Sequence, residues 1–135
     1  MFDTKLAVVL AEDLPTWQKL NVTAFAVSGI GKVYGEVVGE DYVDGSGNRY
    51  LPMFRQPVLI FSADREKLRT VYERAMNRGL KFSLFTEDLF ATYNDADNRA
   101  AVRRCPSESL RIVGMAFWTD KKILDKVLKG LSLCQ

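Results

Sequence analysis

The chain contains no histidine. That absence removes every histidine-based triad, every histidine metal site and the commonest general base. A cysteine nucleophile would need some other base, and a metal site would have to be made of carboxylates alone. Cysteine is scarce as well. Cys105 and Cys134 form no CxxC pair and no zinc spacing, so neither a metal site nor a cofactor is expected. Two unpatterned thiols fit a reducing cytoplasm most simply. No apolar run is long enough to cross a bilayer, and Met1-Phe2-Asp3 begins no basic segment of a secretory signal. No membrane partner is therefore expected. Neither sign of charge dominates: the net charge is +2. A dedicated nucleic-acid binder carries a denser basic footprint, so no DNA is expected, while RNA contact through a local patch stays open.

What is present is ordinary globular material. At 135 residues, 47% hydrophobic and 27% charged, the chain has the size and composition of one α/β domain spanning residues 1–135. It is long enough to bury a core without disulfides or structural metal. Lys5–Leu10 (KLAVVL) is short, apolar and β-branched, and predicts a buried strand. Asp13 can cap and Pro15 suits a first turn, so a helix is expected from about Thr16 to Ser28, ending near Gly29. Trp17, Leu20, Ala24 and Val27 share one face of it, with Val22 and Phe25 round the side; the helix reads as heavily covered. Tyr42–Tyr50 carries the turn chemistry of a small hairpin excursion.

Val58–Phe61 (VLIF) predicts a second buried strand. Leu68, Val71, Tyr72, Ala75 and Met76 mark the core stripe of a helix over Ala63–Arg78, stopped by Gly79. Lys81–Phe85 predicts a third strand. Glu87–Asn98 is polar, with room for one helical turn, and is the best candidate for a functional loop. Leu110–Trp118 predicts a fourth strand, interrupted by Gly114. Thr119 and Asp120 open a last helix with its stripe on Ile123, Leu124, Val127, Leu128 and Leu131. Apolar strands alternating with helices imply a mostly parallel sheet covered on both faces.

Two segments carry a resemblance. Lys5–Ile30 (KLAVVLAEDLPTWQKLNVTAFAVSGI) and Leu51–Phe61 (LPMFRQPVLIF) look like the family catalogued as domain of unknown function two thousand, nearly end to end. That family is similar in fold to the type II peptidyl-tRNA hydrolases. The resemblance implies a three-layer α/β/α sandwich, a mixed, mostly parallel four-stranded sheet and a homodimer. The hydrolases open with a strand, Asp-Leu and a Gly-Lys pair; here Asp13-Leu14 matches and Lys19 takes the lysine position, with Gln18 for the glycine. Their histidine falls at Ala26 or Val27. Their later Asp-Ala-Gly-x-Thr aligns with Asp88–Thr92, where Asp88 and Thr92 match and Phe90 replaces the glycine. The closing Val127–Leu133 is also similar.

The resemblance thus implies Lys19, Asp88 and Thr92 as the catalytic set of a divergent hydrolase. In a parallel sheet, Lys19 and Asp88 would both follow strand carboxyl ends, where ligands gather. Lysine could hold an oxyanion and aspartate could orient a water. The competing reading is a surface Lys19–Asp88 ion pair with Thr92 capping a turn. Asp13, Asn21 and Asn98 are ligand-binding candidates beside them, although a buried Asn21 equally serves a backbone group. Gly29-Ile30-Gly31-Lys32 follows a helix instead of a strand, so it is a helix stop, not a phosphate loop. Arg99, Arg103 and Arg104 could meet phosphate or simply be solvated. Trp17 and Trp118 read as core or dimer-interface aromatics. Two functions stay open: a domain binding a small molecule or a peptidyl-tRNA-like ligand, with or without hydrolysis, and a non-catalytic dimeric module for protein or RNA.

Overall fold

The computed structural model describes residues 2–135. The order is β1 (Thr4–Ala11), α1 (Thr16–Val33), β2 (Tyr42–Val43), β3 (Arg49–Tyr50), β4 (Val58–Ala63), α2 (Arg65–Asn77), β5 (Ser83–Thr86), α3 (Asp95–Arg103), β6 (Ile112–Asp120), α4 (Lys121–Val127) and β7 (Ser132–Leu133). Short 3-10 turns cover Gly35–Val37, Glu87–Ala91 and Ser107–Ser109.

The main sheet runs β5-β6-β1-β4-β7, with β2 and β3 pairing apart as a hairpin. This corrects the expected four mostly parallel strands. The sheet is mixed and has five strands, and only β1 and β4 are parallel neighbours. β6 lies antiparallel to both β1 and β5, and β7 antiparallel to β4. β1, β4 and β5 still point the same way, because β5 is reached from β1 through two antiparallel steps. The fifth strand escapes a periodicity reading because it is only two residues long.

β1 sits in the middle, and that explains its composition. Leu6 to Ala11 are at most 2% exposed, so both of its faces are covered. α1 packs on β1, β5 and β6; α2 and α4 pack on β1 and β6 and on each other. α1 descends unusually close to the sheet at Gly114, where an added Cβ would come within 2.3 Å of Val22 Cγ1. The expected interruption of β6 at Gly114 does not occur; the strand runs straight through it.

α1 also runs past Gly29 and Gly31 to Val33. The predicted stop fails because both glycines are helical. Gly29 lets the helix pass Ser83, whose Oγ lies 3.1 Å from where a Cβ would be. Its buried stripe is Val22, Ala26 and Ile30. Trp17, Leu20, Phe25 and Val33 are instead more than half exposed, so the helix is covered on one side only. α2 starts under an Asp64 cap that accepts from the Lys67 backbone N–H. α4 starts under Asp120, which accepts from Lys122 and Ile123. No helix among the described residues is long and apolar enough to cross a membrane.

Candidate functional site

The shared direction of β1, β4 and β5 brings their carboxyl ends to one edge of the sheet, beside the start of β6. Two arrangements stand at that edge.

The first is ionic. Arg65, at the start of α2, donates to Asp13 at 3.1 Å and to Glu87 at 2.9 Å. Arg111 donates to the other Glu87 oxygen at 2.9 Å and to Asp88. Partial burial lowers the tendency of Arg65 to hold its proton, but the hydrogen bonds from Asp13 and Glu87 outweigh it and the guanidinium pKa is raised. The hydrogen bond and charge of Asp88, with the charge of Glu87, raise that of Arg111. These groups are all at least a third exposed, so each pair contributes little to stability. Their effect is to fix the positions of Asp13, Glu87 and Asp88.

The second is a cleft of about 350 Å³ between α1 and the segment from β5 to α3. Its wall is aromatic. Phe25 meets Phe85 edge-on at 5.9 Å, Phe85 meets Phe90 at 5.2 Å, and Phe90 meets Trp17 edge-on at 6.1 Å. Trp17 is 62% exposed and Tyr93, on the far side, 96%. Its rim is polar and made of Asn21, Thr92, Asn94, Asp95 and Asn98. No lysine or arginine lines it. Its one carboxylate, Asp95, is neutralised by Arg99 Nε at 3.0 Å, so the cleft carries no net charge.

Local chemistry explains the rim. Asn94 caps α3 by accepting from the Asp97 backbone N–H at 2.8 Å. The Thr92 hydroxyl donates to the Leu89 carbonyl at 3.0 Å and touches the side-chain amide of Asn98. Thr92 thereby ties the 3-10 turn to α3. On α1, Trp17, Asn21 and Phe25 recur every four residues, and at 3.6 residues per turn they share the face toward the cleft.

The candidates from sequence divide between these places. Asn21, Thr92 and Asn98 come together in the cleft. Asp13 and Asp88 belong to the ionic cluster. Lys19 joins neither; it lies two residues from Asn21, about 200° round the helix. The Lys19–Asp88 ion pair weighed above does not form, since Asp88 is held by Arg111. Asp88 and Thr92 thus stand in different arrangements, Asp88 on Arg111 and Thr92 in the cleft. Among the described residues, no group of three carboxylates or thiols is placed to hold a metal ion.

The aromatic wall was not visible as such in the sequence. Trp17 reads as a core or dimer-interface aromatic, and Phe85 and Phe90 read as strand and loop. The signal was that α1 is apolar on every side, more than one sheet can cover. α3 was missed because residues 87–98 are polar; the signal was Asn94 with Asp97 three residues on, a cap spacing.

A family model described as a protein of unknown function, DUF2000, matches residues 4–135. A solved structure of a protein of unknown function from Agrobacterium tumefaciens superposes with a TM-score of 0.97 at 47% identity, covering 100% of both chains. Comparison with curated proteins gives no match.

Proposed function

The chain belongs to the DUF2000 family, and we propose that it is a ligand-binding domain whose cleft takes an uncharged small molecule with a flat apolar group and hydrogen-bonding substituents. The lining carries this reading: four linked aromatic or apolar walls face a rim of amides and a hydroxyl, with no net charge. Pockets of this size with an apolar wall and a few convergent polar groups are the usual form of small-molecule sites. A phosphate or a polyanion such as peptidyl-tRNA would find no lysine or arginine in it. Hydrolysis is accordingly the weaker form of the proposal. A water oriented by Asp88 would have to work from a carboxylate already held by Arg111.

The proposal keeps the type II peptidyl-tRNA hydrolase-like, three-layer α/β/α description of the scaffold. It is supported by β1 being buried on both faces and by α2 and α4 packing together on the sheet away from α1. A cytoplasmic setting is part of the same reading. The alternative, a non-catalytic dimeric module for a protein or RNA partner, is favoured by one observation, the exposed apolar side of α1.

The test follows the indole N–H resonance of Trp17 during titration with phenylacetamide and, separately, phenylacetate. Saturable shifts with the amide, weaker with the acid and reduced in Asn98→Ala, are expected. No shift with either probe overturns the proposal. Cleavage of an N-blocked aminoacyl-tRNA that is lost in Lys19→Ala and Asp88→Asn would replace it with hydrolysis.

A further inference from the structure

A second cavity, of about 230 Å³, lies between α2 and the segment leading into β6. Its lining is Arg65, Arg69, Leu110, Arg111 and Ile112. It shares no residue with the aromatic cleft, and no carboxylate lines it. Arg65 and Arg69 stand four residues apart on α2 and so project from one side of that helix. Arg111 immediately precedes β6. Leu110 and Ile112 add an apolar wall, and Ile112 is buried.

Each of the three guanidinium groups is held in place, yet none has all its donors engaged. Arg65 uses Nε on Asp13 and Nη2 on Glu87. Arg111 uses Nη1 on Glu87 and Nη2 on Asp88. Arg65 Nη1 and Arg111 Nε stand outside these bonds. Arg69 Nη2 donates to the Ser107 carbonyl at 2.7 Å, and the guanidinium carbon lies 5.0 Å over the Tyr72 ring. Its carboxylate neighbour, Glu73, is 3.7 Å from Nε and 64% exposed, a loose pairing that neutralises it poorly.

Arg69 Nη1 is closed off from solvent and has no acceptor. Such a nitrogen has lost its water and gained nothing in exchange, which is costly for a charged donor and calls for an explanation. Among the described residues the other buried side-chain polar atom without a partner is Thr86 Oγ1. Thr86 pairs across the sheet with Ile112, part of the wall of the same cavity. Both orphaned atoms therefore belong to residues in or beside this one place.

We propose that this cavity is a phosphate site, in which Arg65, Arg69 and Arg111 hold the terminal oxygens of a phosphate monoester and Arg69 Nη1 gains its missing acceptor. Guanidinium forks suit oxyanions, which they bind through charge-assisted pairs of hydrogen bonds. Three forks match the three terminal oxygens of a phosphate monoester, whereas a carboxylate offers two. The apolar wall keeps water back and strengthens each contact. Asp13, Glu87 and Asp88 hold Arg65 and Arg111 from outside the lining, so the positions of the donors are set before a ligand arrives. The site stands without the cleft proposal.

The test follows the Nε–Hε resonances of Arg65, Arg69 and Arg111 during titration with inorganic phosphate at neutral pH, with sodium chloride holding the ionic strength constant. Saturable shifts at all three are expected. In Arg69→Met, which keeps a long stem over Tyr72, the Arg111 shifts should require about tenfold more phosphate. Arg69→Lys, which keeps the charge and loses the fork, should also bind more weakly and serves if the Met variant fails to fold. Arg49→Ala, in the hairpin, should bind as the wild type does. Absence of saturable shifts overturns the inference, as does undiminished affinity in the Arg69 variants. Acetate binding as tightly as phosphate would overturn the assignment to phosphate. Trp17 reports the cleft in the phenylacetamide titration and the arginines report this cavity, so each proposal can fail alone.

Discussion

Gly114 shows what one missing methyl group permits. An alanine Cβ there would stand 2.3 Å from Val22 Cγ1, and Val22 is fully buried and β-branched, with no room to turn aside. Gly114→Ala should therefore destabilise the fold by about 1–3 kcal/mol, the usual cost of overpacking. Urea denaturation measures it, and Val22→Ala in the same chain should restore most of the loss. If Gly114→Ala is neutral, the close approach of α1 to β6 is not a constraint. In the sequence Gly114 reads as a break, because a strand glycine signals either a break or a close neighbour and only the neighbour tells which. The same limit applies to Asp88. Its place at a strand end was legible, but its partner was not. Arg111 lies 23 residues away and is brought beside it only by the β5–β6 pairing.

Elements were legible where the hydrophobic period was strong. α2, with one apolar stripe and charges elsewhere, is found within two residues of its expected start and one of its expected end. α1 has apolar residues all round, so the period could not say which side is buried; of the expected stripe, Trp17, Leu20 and Ala24 are open and Val27 packs against the core. The β2–β3 hairpin depends on turn chemistry instead of burial. Asp44 accepts from the Ser46 and Asn48 backbone N–H groups and from the Tyr50 hydroxyl, and Gly47 takes φ +86°. The Tyr50 hydrogen bond and then the backbone ones hold the Asp44 carboxyl at about 2, below its usual 3.8. A carboxyl lowered in the folded state favours folding above its unfolded pKa and loses that contribution as pH falls through the folded one. The hairpin should thus be ordered at neutral pH and loosen between about pH 4 and 2, seen as collapse of the Ser46 and Asn48 amide shifts. Asp44→Asn should show no such titration. Shifts that stay constant down to pH 2 in the wild type would remove Asp44 as the organising group.

For the whole molecule, the alternation of strands and helices was enough to give the α/β class, since strands apolar on both faces require cover on both. Strand order was beyond reach because it depends on which distant segments pair. The central position of β1 has one more consequence, for synthesis. β1 leaves the ribosome first, yet its parallel partner β4 begins more than 50 residues later and β6 more than 100 residues later. At about 5–20 residues per second, its apolar run waits several seconds for either neighbour. The nascent chain thus exposes its most insoluble segment longest, and that segment is where a chaperone would take hold.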